Sequence, residues 1–562
     1  MLKVSEIPYE RYTIEQAKER FAAYRAAWDS AKTAEEALAA RKILQDAMTE
    51  YSTAASLANN RFNLNTTDEF YAGEVEYYDG VSPMLSALML ETSEDLLTTP
   101  LRPALEKLMN PRIFAQAEIA KKAFSPEVIA DCQEENAAVT EYSKFMSGLL
   151  FEYEGKQIPL STLRGGLEDS DREVRRKTAE SIGLGLQKHA AELDGYYDKL
   201  VKIRTRIARK LGYKTFTELG YYRMGRLDYN AEMVKTFRDN VKNDLVPVVE
   251  ELKKSVAEKL GIDKVMFYDD AIYLPGLTPR PVLDKAGIFA AAKEMYNKMD
   301  PEIGAFMEDM QAAEAFDVES RPGKWGGGYC TCFPKYEQPF ILANFNGSAG
   351  DIDVMTHEFG HAFAAKNVFR YGDVELDVGG METAECHSMS MEFLSWPYMD
   401  KFFGEAGDRY RFQHMLSSLS FIPYGVIVDE FQHLVYENPD WTPAERKEAY
   451  LSLEKKYRPY MELAGIPYLE EGTRWQYQMH IFETPFYYID YCLAQTVALG
   501  FLMKSREDYE GALKAYIAFS RAGGTKPFPR LIEEAGVASP FTPGALKTIA
   551  DGVEKIGKEL KV

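Results

Sequence analysis

Apolar residues recur along most of this chain at steps of three and four, the spacing of one buried helical face. In the first such stretch Ile14, Ala17, Phe21, Tyr24 and Trp28 line up. Polar punctuation marks helix starts. Thr13 with Gln16, Thr33 with Glu36, Ser170 with Glu173 and Thr442 with Glu445 fit the capping box, and Pro443 takes the first-turn position. Residues 1–195 therefore read as an N-terminal helical lobe of hairpins, and 196–562 as a second domain. Strand-like sequence is scarce: "VMFYDDAIYL" (265–274), and "GGGYCTCF" through "QPFILANFNG" (326–347), enough for one small sheet. The fold class this predicts is mainly α.

At 562 residues, more than one helical lobe is expected. No run of about 18 apolar residues appears, so no membrane span is expected. A formal net charge of −21 opposes nucleic acid and anionic membranes as partners. Five cysteines without a CxxC pair suggest neither a disulfide framework nor a cysteine zinc site, and the N-terminus, charged at Lys3, Glu6, Glu10 and Arg11, lacks a signal peptide's apolar core. A cytoplasmic setting fits.

Candidate chemistry concentrates in "VMTHEFGHAF" (354–363). On a helix, His357 and His361 present two imidazoles to one point, and Glu358 is turned to reach a bound water as general base. With only seven histidines in the chain, a chance HExxH is improbable. A hydrolytic zinc needs a third protein ligand and an open position. Ala364 and Asn367 stand where a metzincin would have glycine and histidine, so the ligand is sought elsewhere. The following segment "GGMETAECHSMSMEFL" (379–394) offers Glu382, Glu385 and Glu392 on one face, and spacing leaves the choice among them open. His387, on nearly the opposite side from Glu385, reads as a packing or surface histidine. The run Gly326–Gly328 lacks the Lys-Ser/Thr of a phosphate loop and reads as a turn or wall beside a substrate. Cys330 and Cys332 share one face of a strand and are read as ordinary half-buried thiols.

"THEFGHAF" followed by "ECHSMSMEF" resembles peptidase family M3, the thimet oligopeptidase and oligoendopeptidase F superfamily, and within it the bacterial oligoendopeptidase F and Pz-peptidase group. "GGGYCTCFPKYEQPFILANFNGS" and "FSRAGGTKPFPRLIEEAGV" resemble the same group. The resemblance implies a zincin-like helical metallopeptidase, with a small β-sheet beside the active helix and helical lobes enclosing a deep substrate channel. It implies one Zn2+ per chain held by His357, His361 and Glu385, with Glu358 as base. Glu382, Ser388 and Glu392 become supporting residues around the ligands. "HIFETPFYYIDY" (480–491) resembles the segment whose histidine and tyrosines donate to the scissile carbonyl and the oxyanion, which implies roles for His480, Tyr488 and Tyr491. Tyr487, turned by about 100° from Tyr488, competes with them. An edge strand that holds the peptide by main-chain bonds puts Ala343 and Asn344, with Gly327 and Gly328, near the substrate.

The implied activity is zinc-dependent endopeptidase cleavage of short peptides. Two alternatives stand beside it. A zinc carboxypeptidase or dipeptidyl carboxypeptidase would need a cation such as Arg474 or Lys335 for the substrate's carboxylate; the other alternative is a non-catalytic helical peptide-binding protein. Oligomeric state is not legible.

Overall fold

The computed structural model describes residues 1–276, 278–560 and 562, with Pro83 described only by its place in a helix. The fold is mainly helical, with three small sheets among the described residues. The chain forms two compact units, each assembled from three stretches of sequence: 1–121, 279–407 and 504–537 in the first, and 122–278, 408–503 and 538–562 in the second. Among the described residues no helix is long and apolar enough to cross a membrane.

The first unit opens with helices Ile14–Ser30, Ala34–Leu64 and Glu69–Thr98. Thr13 and Thr33 cap the first two through complete capping boxes. Ile14, Ala17, Phe21 and Tyr24 are buried, and Trp28 packs against them in part, as the three-and-four spacing predicts. The unit's sheet runs in the order Phe316–Glu319, Gln338–Phe345, Tyr329–Phe333. Alternation along Tyr329–Phe333 sends Tyr329 toward the second helix, where its hydroxyl meets Asn60 and Asn63 at 3.2 and 3.1 Å. Cys330 and Cys332 lie on the opposite face, where the helix Gly350–Phe369 packs. That helix is buried nearly all round. Phe359 stacks on Tyr296 with ring centroids 4.1 Å apart and meets Phe306, while Phe363 meets Phe306 and Tyr516.

The second unit carries buried ion pairs between its helices: Arg204 with Glu135 at 2.7 Å, Arg238 with Asp429 at 2.6 Å and Arg226 with Asp490 at 2.8 Å. Thr442 caps Pro443–Tyr457 as expected, whereas the helix Arg172–Lys188 is capped by Asp171, not Ser170. The Asp171 carboxylate accepts from Glu173 N–H at 2.9 Å. A carboxylate one residue nearer the first turn displaces the serine.

Two strand expectations change. In 265–274 only Val265–Met266 is extended, and it pairs in parallel with Met461–Glu462 instead of joining the first unit's sheet. The chain turns because Asp269, fully buried, accepts from Met266 N–H and binds Arg172 and Arg175 at 2.7 and 2.9 Å. Phe316–Glu319 and a hairpin at Leu150–Pro159, neither anticipated, complete the β-structure. The latter turns at Glu154–Gly155, both with positive φ.

Candidate active site

The motif helix starts from a tight exit off the central strand. Gly347 has φ of +80°, and Asp351 accepts from Asn346 N–H and Gly347 N–H at 2.9 and 2.8 Å, tying loop to first turn. Further along, Gly360 lets the helix Met381–Leu394 come close: a Cβ there would stand 2.6 Å from the His387 carbonyl oxygen and 2.7 Å from Ser388 Cα. Close approach brings the second helix's carboxylates to the histidines.

One nitrogen from each of His357 and His361 and one oxygen of Glu385 lie within 4.8 Å of one another. His357 Nε2 is 3.4 Å from Glu385 Oε2, and His361 Nε2 is 3.8 Å from the same oxygen. Tetrahedral ligands about 2.0–2.2 Å from zinc lie roughly 3.4 Å apart, so the spacing and the donor set suit that ion. Of the three carboxylates left open by spacing, Glu385 is the one in the cluster. Glu392 sits behind it, its Oε1 2.6 Å from His357 Nδ1. Ser388 Oγ donates to the Glu385 carbonyl at 3.0 Å and to its carboxylate at 3.3 Å. Glu382 is buried, with its carboxylate folded over Gly380. His387 is fully buried against Phe519, with ring centroids 4.9 Å apart, and burial brings its pKa down to about 3. It is a packing histidine.

Charge is divided unevenly over the cluster. Burial lowers His361 to about 4, with the His357 charge adding, so its ring is neutral and ready to ligate at neutral pH. Burial also works on His357, but hydrogen bonds to Glu385 and Glu392 hold it well above the usual histidine range. Burial pushes the Glu358 carboxyl up to about 7; the His357 charge and the main-chain N–H of Cys330 oppose that rise. A carboxylate near neutrality is poised to exchange protons.

The strand carrying Ala343 and Asn344 is the central one: Phe316–Glu319 runs beside it as far as Phe345, whereas Tyr329–Phe333 pairs only with Gln338–Leu342, so Ala343 and Asn344 lie past the end of that neighbour. Ala343 is buried, and its carbonyl accepts from Lys324 Nζ at 2.5 Å. Asn344 Nδ2 donates to the carbonyls of Trp325 and Gly327 at 2.9 and 2.8 Å, so it shapes the glycine loop. The sheet's outer strands are Phe316–Glu319 and Tyr329–Phe333, and Gly327 and Gly328 lead into the second of them. A Cβ on Gly327 would fall within 1.9 Å of the Trp325 ring, so any side chain there would have to displace that exposed indole.

In the second unit, His480 lies on the short helix Met479–Glu483, and Tyr488 and Tyr491 on the first turn of Tyr488–Glu507. Ring centroids place His480 5.0 Å from Tyr488, 6.1 Å from Tyr491 and 5.7 Å from Tyr487. Tyr487 does not point elsewhere: its hydroxyl donates to the Tyr491 hydroxyl at 2.7 Å. The two are four residues apart, the stronger face-sharing relation. The turn is set by Phe486, with φ of +68°, whose N–H donates to Gln432 Oε1 at 2.9 Å. Two residues that the sequence did not single out complete the group. Gln478 Nε2 lies 2.8 Å from His480 Nδ1, and the Tyr424 hydroxyl is 2.6 Å from Gln478 Oε1. Tyr424 is remote in sequence, and nothing in its neighbours signals the contact.

A mainly helical chain with HExxH on one helix and a carboxylate brought to it by the next defines a class, the helical HExxH peptidases. The chain belongs to peptidase family M3. The family's model matches residues 293–551, and the model of the M3 N-terminal domain matches residues 4–124. Among solved structures, Pz peptidase A is 42% identical, with a TM-score of 0.90 and full coverage of both chains. A protein assigned as oligoendopeptidase F from Bacillus anthracis str. Ames is 37% identical, with a TM-score of 0.86, covering 100% of this chain and 99% of that one. Oligopeptidase PepF of Bacillus subtilis (strain 168) is 23% identical over 405 residues, which span 68% of this chain and 56% of that protein's length.

Proposed function

We propose that this chain is a zinc-dependent oligoendopeptidase that hydrolyses internal peptide bonds of short, unstructured peptides. The observation that carries the reading is the convergence of His357, His361 and Glu385 beside a buried Glu358. His357, His361 and Glu385 would hold one zinc per chain, with Glu392 and Ser388 orienting them and Glu382 supporting their helix. When bound, the ion supplies Lewis acidity that polarises a carbonyl and acidifies water. Glu358 takes a proton from water on its carboxylate and passes it to the leaving nitrogen. His480, Tyr488 and Tyr491 donate hydrogen bonds to the oxygen that gains charge, a role carried over from the family resemblance. For peptide binding we favour Gly327 and Gly328 with the edge strand Tyr329–Phe333 and the segment Ala343–Asn344 past its end, because main-chain pairing needs a strand edge.

The exopeptidase alternative needs a cation to spare for a terminal carboxylate. Arg474 is paired with Glu454 at 3.5 Å and lies over the Tyr424 ring, and Lys335 is paired with Glu50 at 2.8 Å. We place the enzyme in the cytoplasm, acting on peptides and not on nucleic acid or membranes. The test is a graded ladder of peptides blocked at both ends, incubated with the zinc-loaded and chelated protein and read by mass. Internal cleavage by the zinc-loaded form alone is expected; cleavage only of peptides with a free C-terminus would overturn the endopeptidase reading.

A further inference from the structure

The ring of His480 has two nitrogens and, when neutral, one proton; which nitrogen holds it decides whether the ring can donate toward a substrate. Its Nδ1 lies 2.8 Å from Gln478 Nε2. The other end of that amide, Oε1, lies 2.6 Å from the Tyr424 hydroxyl. Arg474 stands over the Tyr424 ring, its guanidinium carbon 3.9 Å from the centroid. A cation above a phenol withdraws density from it and strengthens its O–H as a donor. The Tyr424 hydroxyl is therefore the donor and the amide oxygen the acceptor, so the amide's N–H2 faces His480. An N–H facing Nδ1 requires Nδ1 to be the bare, accepting nitrogen, which leaves the proton on Nε2.

We propose that Gln478, oriented by Tyr424 beneath Arg474, is a positioning residue that holds His480 as the Nε2–H tautomer, the form able to donate from the ring's outer nitrogen. The inference rests on the oxyanion role given to His480 above. All four residues lie in the second unit. His480 and Gln478 are half-buried, and burial lowers the histidine's pKa, which keeps the ring neutral so that the tautomer matters. An amide suits this task better than a carboxylate. Glutamate at 478 would accept from Nδ1–H, pull the proton to the inner nitrogen or charge the ring, and remove the defined donor.

The test is 15N spectroscopy of the full-length chain labelled at histidine, with the His480 signals assigned by their loss in His480→Asn. The expected wild-type spectrum has a protonated Nε2 and a bare Nδ1. Gln478→Glu should move the proton to Nδ1 or give a charged ring, with kcat lower by about tenfold to a hundredfold and KM nearly unchanged. Tyr424→Phe, which frees the amide to turn over, should give a mixture of tautomers and a smaller loss of kcat, and serves if the glutamate variant does not fold. A wild-type Nδ1–H tautomer, or a His480 spectrum indifferent to both substitutions, overturns the proposal. If the tautomer follows Gln478 while kcat does not, the positioning stands and the oxyanion role of His480 falls.

Discussion

Nδ1 of His357 and Oε1 of Glu392, thirty-five residues apart in sequence, lie 2.6 Å from one another. The contact occupies the nitrogen that faces away from Glu385 and leaves Nε2 directed toward it. An imidazole anchored in this way costs a metal less entropy to bind, and the carboxylate makes it a stronger ligand.

From that relation follows an order of zinc affinities. Glu385→Ala removes a donor of the cluster and should abolish tight binding. Glu392→Ala leaves the donors in place but loosens His357, and is expected to weaken binding by about 10–100-fold. Glu382→Ala, whose carboxylate folds back on its own helix, should have the smallest effect. Competition titrations with a chelating dye would measure all three; normal affinity in Glu385→Ala would mean that another carboxylate completes the site.

Glu358 makes a separate prediction because it stands beside the cluster without belonging to it. Glu358→Gln keeps shape and hydrogen-bonding capacity but cannot take a proton. It should retain zinc and lose at least about a hundredfold in kcat, the usual scale of a general base. Zinc content by atomic absorption and turnover of a blocked peptide, measured on the same sample, separate the roles. Retained turnover would remove Glu358 from proton transfer.

Packing of the two site helices can be tested at Gly360. Alanine there should gain about 1 kcal/mol of helix propensity, yet its Cβ meets main-chain atoms of His387 and Ser388 at 2.6 and 2.7 Å. Main chain cannot rotate aside, and overpacking of this kind costs about 1–3 kcal/mol. Gly360→Ala should therefore destabilise the first unit in urea titration and weaken zinc binding together. A more stable variant with normal affinity would show that the helices part without cost.

Much of this site was legible in sequence because it is local. His357, Glu358 and His361 fall on one helix, where the 3.6-residue period sets who can face whom; on the next helix the period leaves Glu382, Glu385 and Glu392 open, and only the family resemblance singles out Glu385 with Ser388 and Glu392 beside it. What escaped depends on pairings between distant segments. The strand Phe316–Glu319 is four residues long and mixed in polarity, so nothing local announces it. Ser170 lost the cap to Asp171 over a single residue, below the resolution of pattern reading. Tyr487 was set apart by counting from Tyr488, when the partner that mattered was Tyr491, one turn on.

The last prediction turns on that tyrosine pair. Tyr487 donates its hydroxyl proton to Tyr491, so Tyr491 is the acceptor in that bond and its own proton is not used in it. If that proton goes to a developing oxyanion, Tyr491→Phe should lower kcat by roughly a hundredfold with little change in KM. Tyr487→Phe removes a bond that orients and polarises the Tyr491 hydroxyl, and should cost less, about tenfold. Because Tyr487 acts through Tyr491, the two effects should not add: the double variant is expected to match Tyr491→Phe alone. Tyr488→Phe, whose ring sits 5.0 Å from His480, should lower kcat independently and multiply with either. Steady-state kinetics on one blocked peptide across the three single and three double variants measure these couplings. A double variant as poor as the product of its two parents would show that Tyr487 meets the substrate itself; an unchanged kcat in Tyr491→Phe would return both rings to a packing role.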